Sequence, residues 1–168
     1  MARMASRSAG RQRRMEMRDG KLQYACGIEC GDMKPEIVHV DEFRVIGVAA
    51  RTSNAREMTG DSAIATLWGR FAGGGAPVAL YTDYESDKDG EYTFVLGVRA
   101  TADAVAPEGM EARTVPAGRY AVFVCGRGPA AQAVMEAWRR IWATPLDRAY
   151  GTDFEVYDDP VRIYVGVR

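Results

Sequence analysis

The sequence predicts an α+β fold made of two similar halves, each of the order strand, helix, strand, strand, sharing one antiparallel sheet. One observation is a repeated motif: TDYE at residues 82–85 and TDFE at residues 152–155 each precede an apolar segment, at residues 94–99 and 163–168. The other is that the two predicted main helices, one per half, have apolar faces of the same spacing. Those faces consist of Ile64, Leu67 and Trp68 in the first half and Trp138, Ile141 and Trp142 in the second.

Two packed halves leave a cleft between them, and such clefts are common ligand sites. We therefore expect a ligand cleft between the halves. In the alignment of the repeated motif, Glu85 and Glu155 occupy matching positions. Glu85 stands beside a polar turn, so Glu155 is the stronger candidate for contact with a ligand.

The first half contains β-branched and apolar segments that predict strands, and one amphipathic segment that predicts a helix. The predicted strands are residues 36–40, 45–50, 78–85 and 92–99, with a polar bend at residues 41–44 and a hairpin turn at residues 86–90. The first two segments are either separate strands or one bent strand. Asp61 or Ser62 is the expected N-cap of the helix, because such side chains accept hydrogen bonds from its first turn. Three glycines at residues 73–75 end the helix, and they lack the Lys-Ser/Thr of a phosphate-binding loop.

The second half repeats this order after a connector at residues 101–110. The predicted strands are residues 111–115, 120–125, 153–157 and 161–167, with bends at residues 116–118 and 158–160. The helix is expected to begin near Pro129, because the first turn of a helix tolerates the missing N–H of proline. Thr144 and Pro145 end it.

The first 33 residues differ in composition from the rest. Residues 1–21 contain seven basic and two acidic side chains, a net charge of +5, which leaves −6 for the remainder of a chain whose net charge is −1. We expect a disordered basic tail at residues 1–33 and one folded domain at residues 34–168, with halves at about 34–100 and 110–168. Translated sequence upstream of a start at Met33 and a basic nucleic-acid-binding arm are alternatives. The arm lacks interleaved aromatic residues, so we expect no nucleic-acid partner.

The overall composition is that of an ordinary globular protein, with 47% apolar and 27% charged residues. Cys26, Cys30 and Cys125 have no disulfide-framework spacing, which favours a reducing compartment. His39 is the sole histidine of the sequence, so we expect neither a metal nor a cofactor. Apolar segments long enough for a membrane span or a signal peptide are absent from the sequence, and we predict a cytoplasmic protein without a membrane partner.

The ordered series of motifs resembles the gyrase-inhibitor-like family, whose domains also serve as effector-binding domains of multidrug-responsive transcription regulators. The resemblance covers roughly residues 34–168. It depends on EIV at residues 36–38, RVIG at 44–47, IATLWGRF at 64–71, ALY at 79–81, VPAGRY at 115–120, AW at 137–138 and DFEVY at 153–157. Each motif is weak alone, and their order makes the resemblance credible.

The resemblance implies a duplicated fold with a ligand pocket between the halves. A glutamate on the penultimate strand of such domains, matched here by Glu155, commonly meets cationic amphipathic ligands among aromatic side chains. Family members that regulate transcription have a DNA-binding region before this domain, whereas this sequence has a short basic tail there. We therefore expect a stand-alone small-molecule-binding domain, not an enzyme, that captures cationic or amphipathic compounds.

Strand alternation places Glu155 and Tyr157 on the same face of their strand, opposite Phe154. A buried carboxylate is costly unless it is paired, so it attracts a cation, and each cation–π contact adds about 0.5–2 kcal/mol. The predicted ligand-binding residues are Glu155, Tyr157, Trp68, Tyr81, Trp142 and Tyr164. Trp138 is a further candidate for the aromatic wall but looks like a core residue, whereas Trp68 and Trp142 fit either role.

Two other functions stay open. A carboxylate in an apolar pocket can have a raised pKa, so Glu155 with Tyr157 could act as general base in a small-molecule hydrolase. Some relatives in the superfamily resemble hydrolases of this kind. The sole histidine, His39, lies alone on an early predicted strand, so the sequence shows no Ser-His-Asp set, and Cys125 has no evident activating partner. The protein could also be an interaction module that inhibits a large nucleic-acid enzyme. Exposed strand edges would permit a homodimer.

Overall fold

The computed structural model describes residues 35–168 in full and, before them, the backbone of two short strands. These strands, β1 (Met15–Arg18) and β2 (Lys21–Tyr24), pair with each other in antiparallel orientation. The remainder of the predicted tail, with Cys26, Cys30 and Met33, lies outside the described residues. The disordered tail therefore stays a prediction.

Residues 35–168 form a unit of their own, in which eight strands make one antiparallel sheet. The first half contributes β3 (Glu36–Val40), β4 (Phe43–Ser53), β5 (Val78–Thr82) and β6 (Glu91–Ala100). The second half contributes β7 (Glu111–Val115), β8 (Gly118–Val124), β9 (Thr152–Val156) and β10 (Arg162–Gly166). The predicted duplicated α+β fold is confirmed.

The order of the strands shows how the two halves are joined. Across the sheet it is β3-β8-β10-β9-β5-β6-β4-β7, so corresponding strands lie at equal distances from the central pair of β5 and β9. The first strands are exchanged between the halves, because β3 pairs with β8 and β7 pairs with β4. Since β3 and β4 lie near opposite ends of the sheet, they are separate strands and not one bent strand.

The register of the central pair corrects the alignment of the halves. Val78 pairs with Val156 and Thr82 with Thr152, so β5 and β9 are equivalent strands of five residues each. The fourth residue of β9 is Glu155, and the fourth residue of β5 is Tyr81. The match of Glu155 with Glu85 is therefore wrong, because Glu85 follows the end of β5 and is exposed.

The helices are α1 (Asn54–Glu57), α2 (Ala63–Arg70) and α3 (Ala130–Ala143). Ser62, one of the two expected caps, is the N-cap of α2 and accepts a hydrogen bond from the N–H of Ala65 at 2.9 Å. Pro129 directly precedes α3, as predicted. Helices of the described part of the chain are too short or too polar to cross a membrane.

The helices pack on one face of the sheet. Under α3 this face buries Ala121, Phe123, Ile163 and Val165, and under α2 it buries Ala79, Phe94 and Leu96. The opposite face buries Val45, Leu80, Val95, Tyr120 and Phe154. Side chains alternate along a strand, so Glu155 lies on the helix-covered face and Phe154 on the other.

Candidate functional site

Glu155 lies beneath the helices with a side chain that is almost inaccessible to solvent, since the residue is 1% exposed. Its Oε1 accepts hydrogen bonds from the Tyr81 hydroxyl (2.8 Å) and from Trp138 Nε1 (2.6 Å). Its Oε2 accepts one from the Tyr157 hydroxyl (2.7 Å). Donors from β5, α3 and the end of β9 thus converge on one carboxylate and join the two halves.

The carboxylate and the phenols influence each other's protonation. Burial raises the pKa of Glu155, and the hydrogen bonds from Trp138, Tyr157 and Tyr81 oppose this by stabilising the ionised form. Burial and then the charge of Glu155 raise the pKa values of Tyr81 and Tyr157 well above the ordinary value for a phenol. Both hydroxyls therefore stay protonated and available as donors.

A cleft with a volume of about 80 Å³ lies beside this network, between the two halves. Aromatic residues form one wall of the cleft, namely Tyr81, Tyr84, Tyr92, Trp138 and Trp142. Tyr81 and Trp138 line the cleft and also donate to Glu155, so the carboxylate lies directly behind the aromatic wall. The volume suffices for several water molecules.

The aromatic wall is held by contacts among its own rings. The ring centroid of Tyr81 lies 5.1 Å from that of Trp138 and 5.5 Å from that of Tyr92, within the range of favourable aromatic pairs. Trp142 extends the wall, with its ring centroid 6.2 Å from that of Trp138. The residue is 36% exposed, as expected at the rim of the cleft. Another rim residue is Met135, which is 47% exposed.

A second carboxylate, Glu57 of α1, lines the cleft directly. Its Oε1 accepts hydrogen bonds from Thr52 Oγ1 (2.5 Å) and from the N–H of Ala63 (3.2 Å). Its Oε2 accepts from the Ser62 hydroxyl and from the N–H of Ile64 at 3.3 Å. Glu57 thus lies at the N-terminus of α2, where a carboxylate is favoured because it complements the helix dipole. It also adds negative charge to the cleft.

Arg148 brings a positive charge to the same cleft, which it lines with 7% of its surface exposed. Its Nη2 donates to Asp153 Oδ2 at 2.5 Å, and Asp153 also accepts from the Tyr84 hydroxyl (2.7 Å) and the N–H of Gly166 (2.8 Å). Burial lowers the pKa of Arg148, but its interactions with Asp153, Tyr84 and Tyr150 together raise it above its ordinary value. The guanidinium is therefore charged, and its carbon lies 4.4 Å from the ring centroid of Tyr150.

Five of the six predicted site residues are connected to the network around Glu155 or to the adjoining cleft. Glu155, Tyr157 and Tyr81 are joined by hydrogen bonds, and Trp142 lines the adjoining cleft. The ring of Trp68 packs on that of Tyr157, with the two centroids 4.7 Å apart, so Trp68 contacts the hydrogen-bond network through Tyr157.

Tyr164 differs from the other predicted residues. It stacks on Phe154, with ring centroids 4.5 Å apart, on the face of the sheet opposite Glu155. Alternation along β10 is the reason, because Ile163 and Val165 are the residues of that strand that face α3. Tyr164 does not belong to the group of residues around Glu155.

Further residues at the site were not expected from the sequence, among them the charged residues Asp153, Glu57 and Arg148. Asp153 alternates with Phe154 exactly as Glu155 does, so the alternation rule could have placed it on the helix-covered face. Glu57 belongs to a helix of four residues, which is too short for periodicity to reveal. Arg148 lies between α3 and β9, in a segment without a repeating pattern.

A duplicated α+β domain with an aromatic cleft between its halves has the architecture of an effector-binding domain. The family described as "Cass2: Integron-associated effector binding protein" matches residues 36–167. The chain therefore belongs to this family of integron-associated effector-binding proteins.

Relatives and solved structures agree with this assignment. YobU of Bacillus subtilis (strain 168) is 34% identical over 154 residues, which cover 79% of this chain and 96% of YobU. The name of YobU assigns it only provisionally to the transcriptional regulators. The transcriptional regulator BrlR of Pseudomonas aeruginosa is 31% identical over 166 residues, with 92% of this chain covered. The match spans 59% of the length of BrlR.

An integron cassette protein from the mobile metagenome of Vibrio cholerae has a crystal structure similar to this fold, with a TM-score of 0.68 and 31% identity. The match covers 80% of this chain and 96% of that protein. The structure of SAV2435 bound to tetraphenylphosphonium has a TM-score of 0.61 and 16% identity, covering 81% of this chain and 94% of that one. At that identity the likeness concerns the fold alone.

Proposed function

We propose that this domain binds cationic, amphipathic organic compounds in the cleft between its halves, and that Glu155 supplies negative charge behind the aromatic wall. The observation that supports this most is the buried carboxylate whose donors, Tyr81 and Trp138, also line the cleft. A unit charge about 6 Å from a cation contributes about 3 kcal/mol at an effective dielectric constant of about 20. Glu57 adds to this attraction from the cleft surface.

The chemistry of the cleft favours a delocalised cation over a metal ion. Aromatic faces attract cations, and a large organic cation loses less hydration than a small ion when it enters an apolar site. SAV2435, which shares the fold, has been solved with tetraphenylphosphonium, a cation of this class. A ligand of that size exceeds a cleft of about 80 Å³, so the rim residues Trp142 and Met135 would have to rotate outward as it enters, a common change on binding.

Binding explains the geometry better than catalysis does. A general base needs its substrate or a water molecule within hydrogen-bond reach. Glu155 is 1% exposed and already accepts hydrogen bonds from side chains at both oxygens. The family and the regulator relatives carry the names of binding or regulatory proteins, and we propose the same for this chain, as a small-molecule-binding domain of the cytoplasm. A homodimer through the outer strands β3 and β7 stays a prediction.

Titration of tryptophan fluorescence with tetraphenylphosphonium tests the proposal on the full chain. Glu155→Gln keeps the shape of the side chain and removes its charge, and should weaken binding by about tenfold or more. Glu85→Gln is the matched control, because it removes the same charge from an exposed position and should leave the affinity unchanged. Equal affinities of the wild type and Glu155→Gln would refute the role of Glu155, and absence of saturable binding would refute the function.

A further inference from the structure

Arg148 has a feature that the proposed attraction of cations does not explain. Its Nε is buried and, among residues 35–168, has no hydrogen-bond partner. Buried polar groups in folded proteins are almost always satisfied, and a donor left unpaired costs stability. Because Arg148 also lines the proposed ligand cleft, its Nε–H is a donor that remains available to a ligand bound there.

The position of the guanidinium is fixed by its surroundings. Nη2 is bound to Asp153 at 2.5 Å, and the guanidinium carbon lies 4.4 Å from the ring centroid of Tyr150 and 6.0 Å from that of Trp138. Trp138 also donates to Glu155. Trp138 is therefore a neighbour both of Glu155 and of the guanidinium that carries the unpaired donor.

The charges around the cleft determine which acceptor fits. The charge of Arg148 is already compensated by Asp153 at 2.5 Å. Lys88 also lines the cleft, but its Nζ is paired with Asp89 at 2.7 Å. Glu57 lines the cleft and Glu155 lies behind its wall, so a further anionic group would meet two carboxylates while both nearby cations are already paired. A neutral carbonyl oxygen accepts a hydrogen bond from Nε without this repulsion.

Building on the proposed function, we propose that the cleft selects organic cations that also carry a neutral carbonyl oxygen, and that Arg148 Nε donates to this oxygen. The site then recognises two features of one ligand: the cationic group through the aromatic wall and Glu155, and the carbonyl group through Arg148. A cation without an acceptor still binds, but leaves Nε unpaired.

The test compares two ligands that differ in one group, trimethyl(2-oxo-2-phenylethyl)ammonium and trimethyl(2-phenylethyl)ammonium, by isothermal titration calorimetry with the full chain. A hydrogen bond from a charged donor contributes enough for the carbonyl ligand to bind about tenfold more tightly. Arg148→Lys keeps a positive charge near Asp153 and removes Nε, so the two affinities should become equal. Arg140→Lys, outside the cleft, should keep the tenfold preference.

A second measurement does not depend on a variant that folds. In a ¹H–¹⁵N spectrum of the arginine side chains, the Nε–H signal of Arg148 should shift on addition of the carbonyl ligand and much less with its counterpart. Equal affinities of the wild type for the two ligands, or equal shifts, would overturn this inference and leave the proposed function intact. Failure of both ligands to bind, with tetraphenylphosphonium also failing, would overturn both.

Discussion

Tyr157→Phe tests whether Glu155 is held as an ionised carboxylate by its donors. The substitution removes the hydroxyl that donates to Oε2 at 2.7 Å and leaves that oxygen buried. A hydrogen bond to a charged group contributes about 1.5–3 kcal/mol, so the free energy of unfolding should fall by that amount. For a domain of this size the melting temperature should fall by about 5–10 °C.

Tyr120→Phe is the matched control. Tyr120 is also a buried tyrosine, 2% exposed, and its hydroxyl donates to the carbonyl oxygen of Pro116 at 2.9 Å. Because that acceptor is neutral, the same deletion should cost only about 0.5–1.5 kcal/mol. Urea denaturation of both variants and the wild type, followed by tryptophan fluorescence at pH 8, measures the difference between the two losses.

The pH dependence of this difference gives the sign of the effect. As the pH falls through the raised pKa of Glu155, the carboxylate gains a proton and the bond from Tyr157 becomes a neutral one. The loss caused by Tyr157→Phe should then approach the loss caused by Tyr120→Phe. Equal losses at pH 8 for the two variants, or a difference that does not change between pH 8 and a pH below 4.5, would refute the view that Glu155 is ionised in its hydrogen-bond network.

Three further predictions concern stability and are measured by urea denaturation of the full chain. The pKa of Glu155 is raised in the folded state, so part of the wild-type stability is present below pH 4.5 and is lost as the pH rises through the folded pKa. Glu155→Gln should remove this decline of stability with pH. A variant whose stability declines with pH as steeply as that of the wild type would contradict the prediction. Asp153→Asn leaves the buried Arg148 without its counter-ion and should cost about 3–5 kcal/mol, whereas a loss below about 1 kcal/mol would show that the pair is solvated. Gly47→Ala makes its new Cβ clash with the backbone oxygen of Leu96 in β6 and should cost more than about 2 kcal/mol. Gly69→Ala in α2 meets no atom within 4 Å and should stabilise by about 0.5–1 kcal/mol. Losses of similar size in both variants would contradict this explanation.

The main features of the fold follow from local patterns in the sequence. Apolar periodicity identified both main helices, and the chemistry of Ser62 and Pro129 identified where each begins. Strand alternation placed Glu155 and Tyr157 together on one face, as their hydrogen bond shows. These features depend on residues that are near each other in the sequence, and so a single chain is enough to infer them.

Long-range pairing could not be inferred in the same way. The exchange of β3 and β7 between the halves depends on which edges of the sheet are free, and local patterns do not encode that. The match of Glu85 with Glu155 was wrong because it was based on the similarity of two tetrapeptides. The register of β5 and β9 instead makes Tyr81 the counterpart of Glu155. Tyr164 was placed in the site by residue type alone, although the alternation of β10 turns it to the opposite face.

The contact between Tyr81 and Glu155 has a consequence for how such a site can arise. The two residues occupy equivalent positions in the halves, and one donates a hydrogen bond to the other at 2.8 Å. In an assembly of two identical copies, both positions would hold the same residue: two glutamates would repel each other, and two tyrosines would provide no charge. Because both halves belong to one polypeptide, their equivalent positions can differ, and here one supplies the donor while the other supplies the anion.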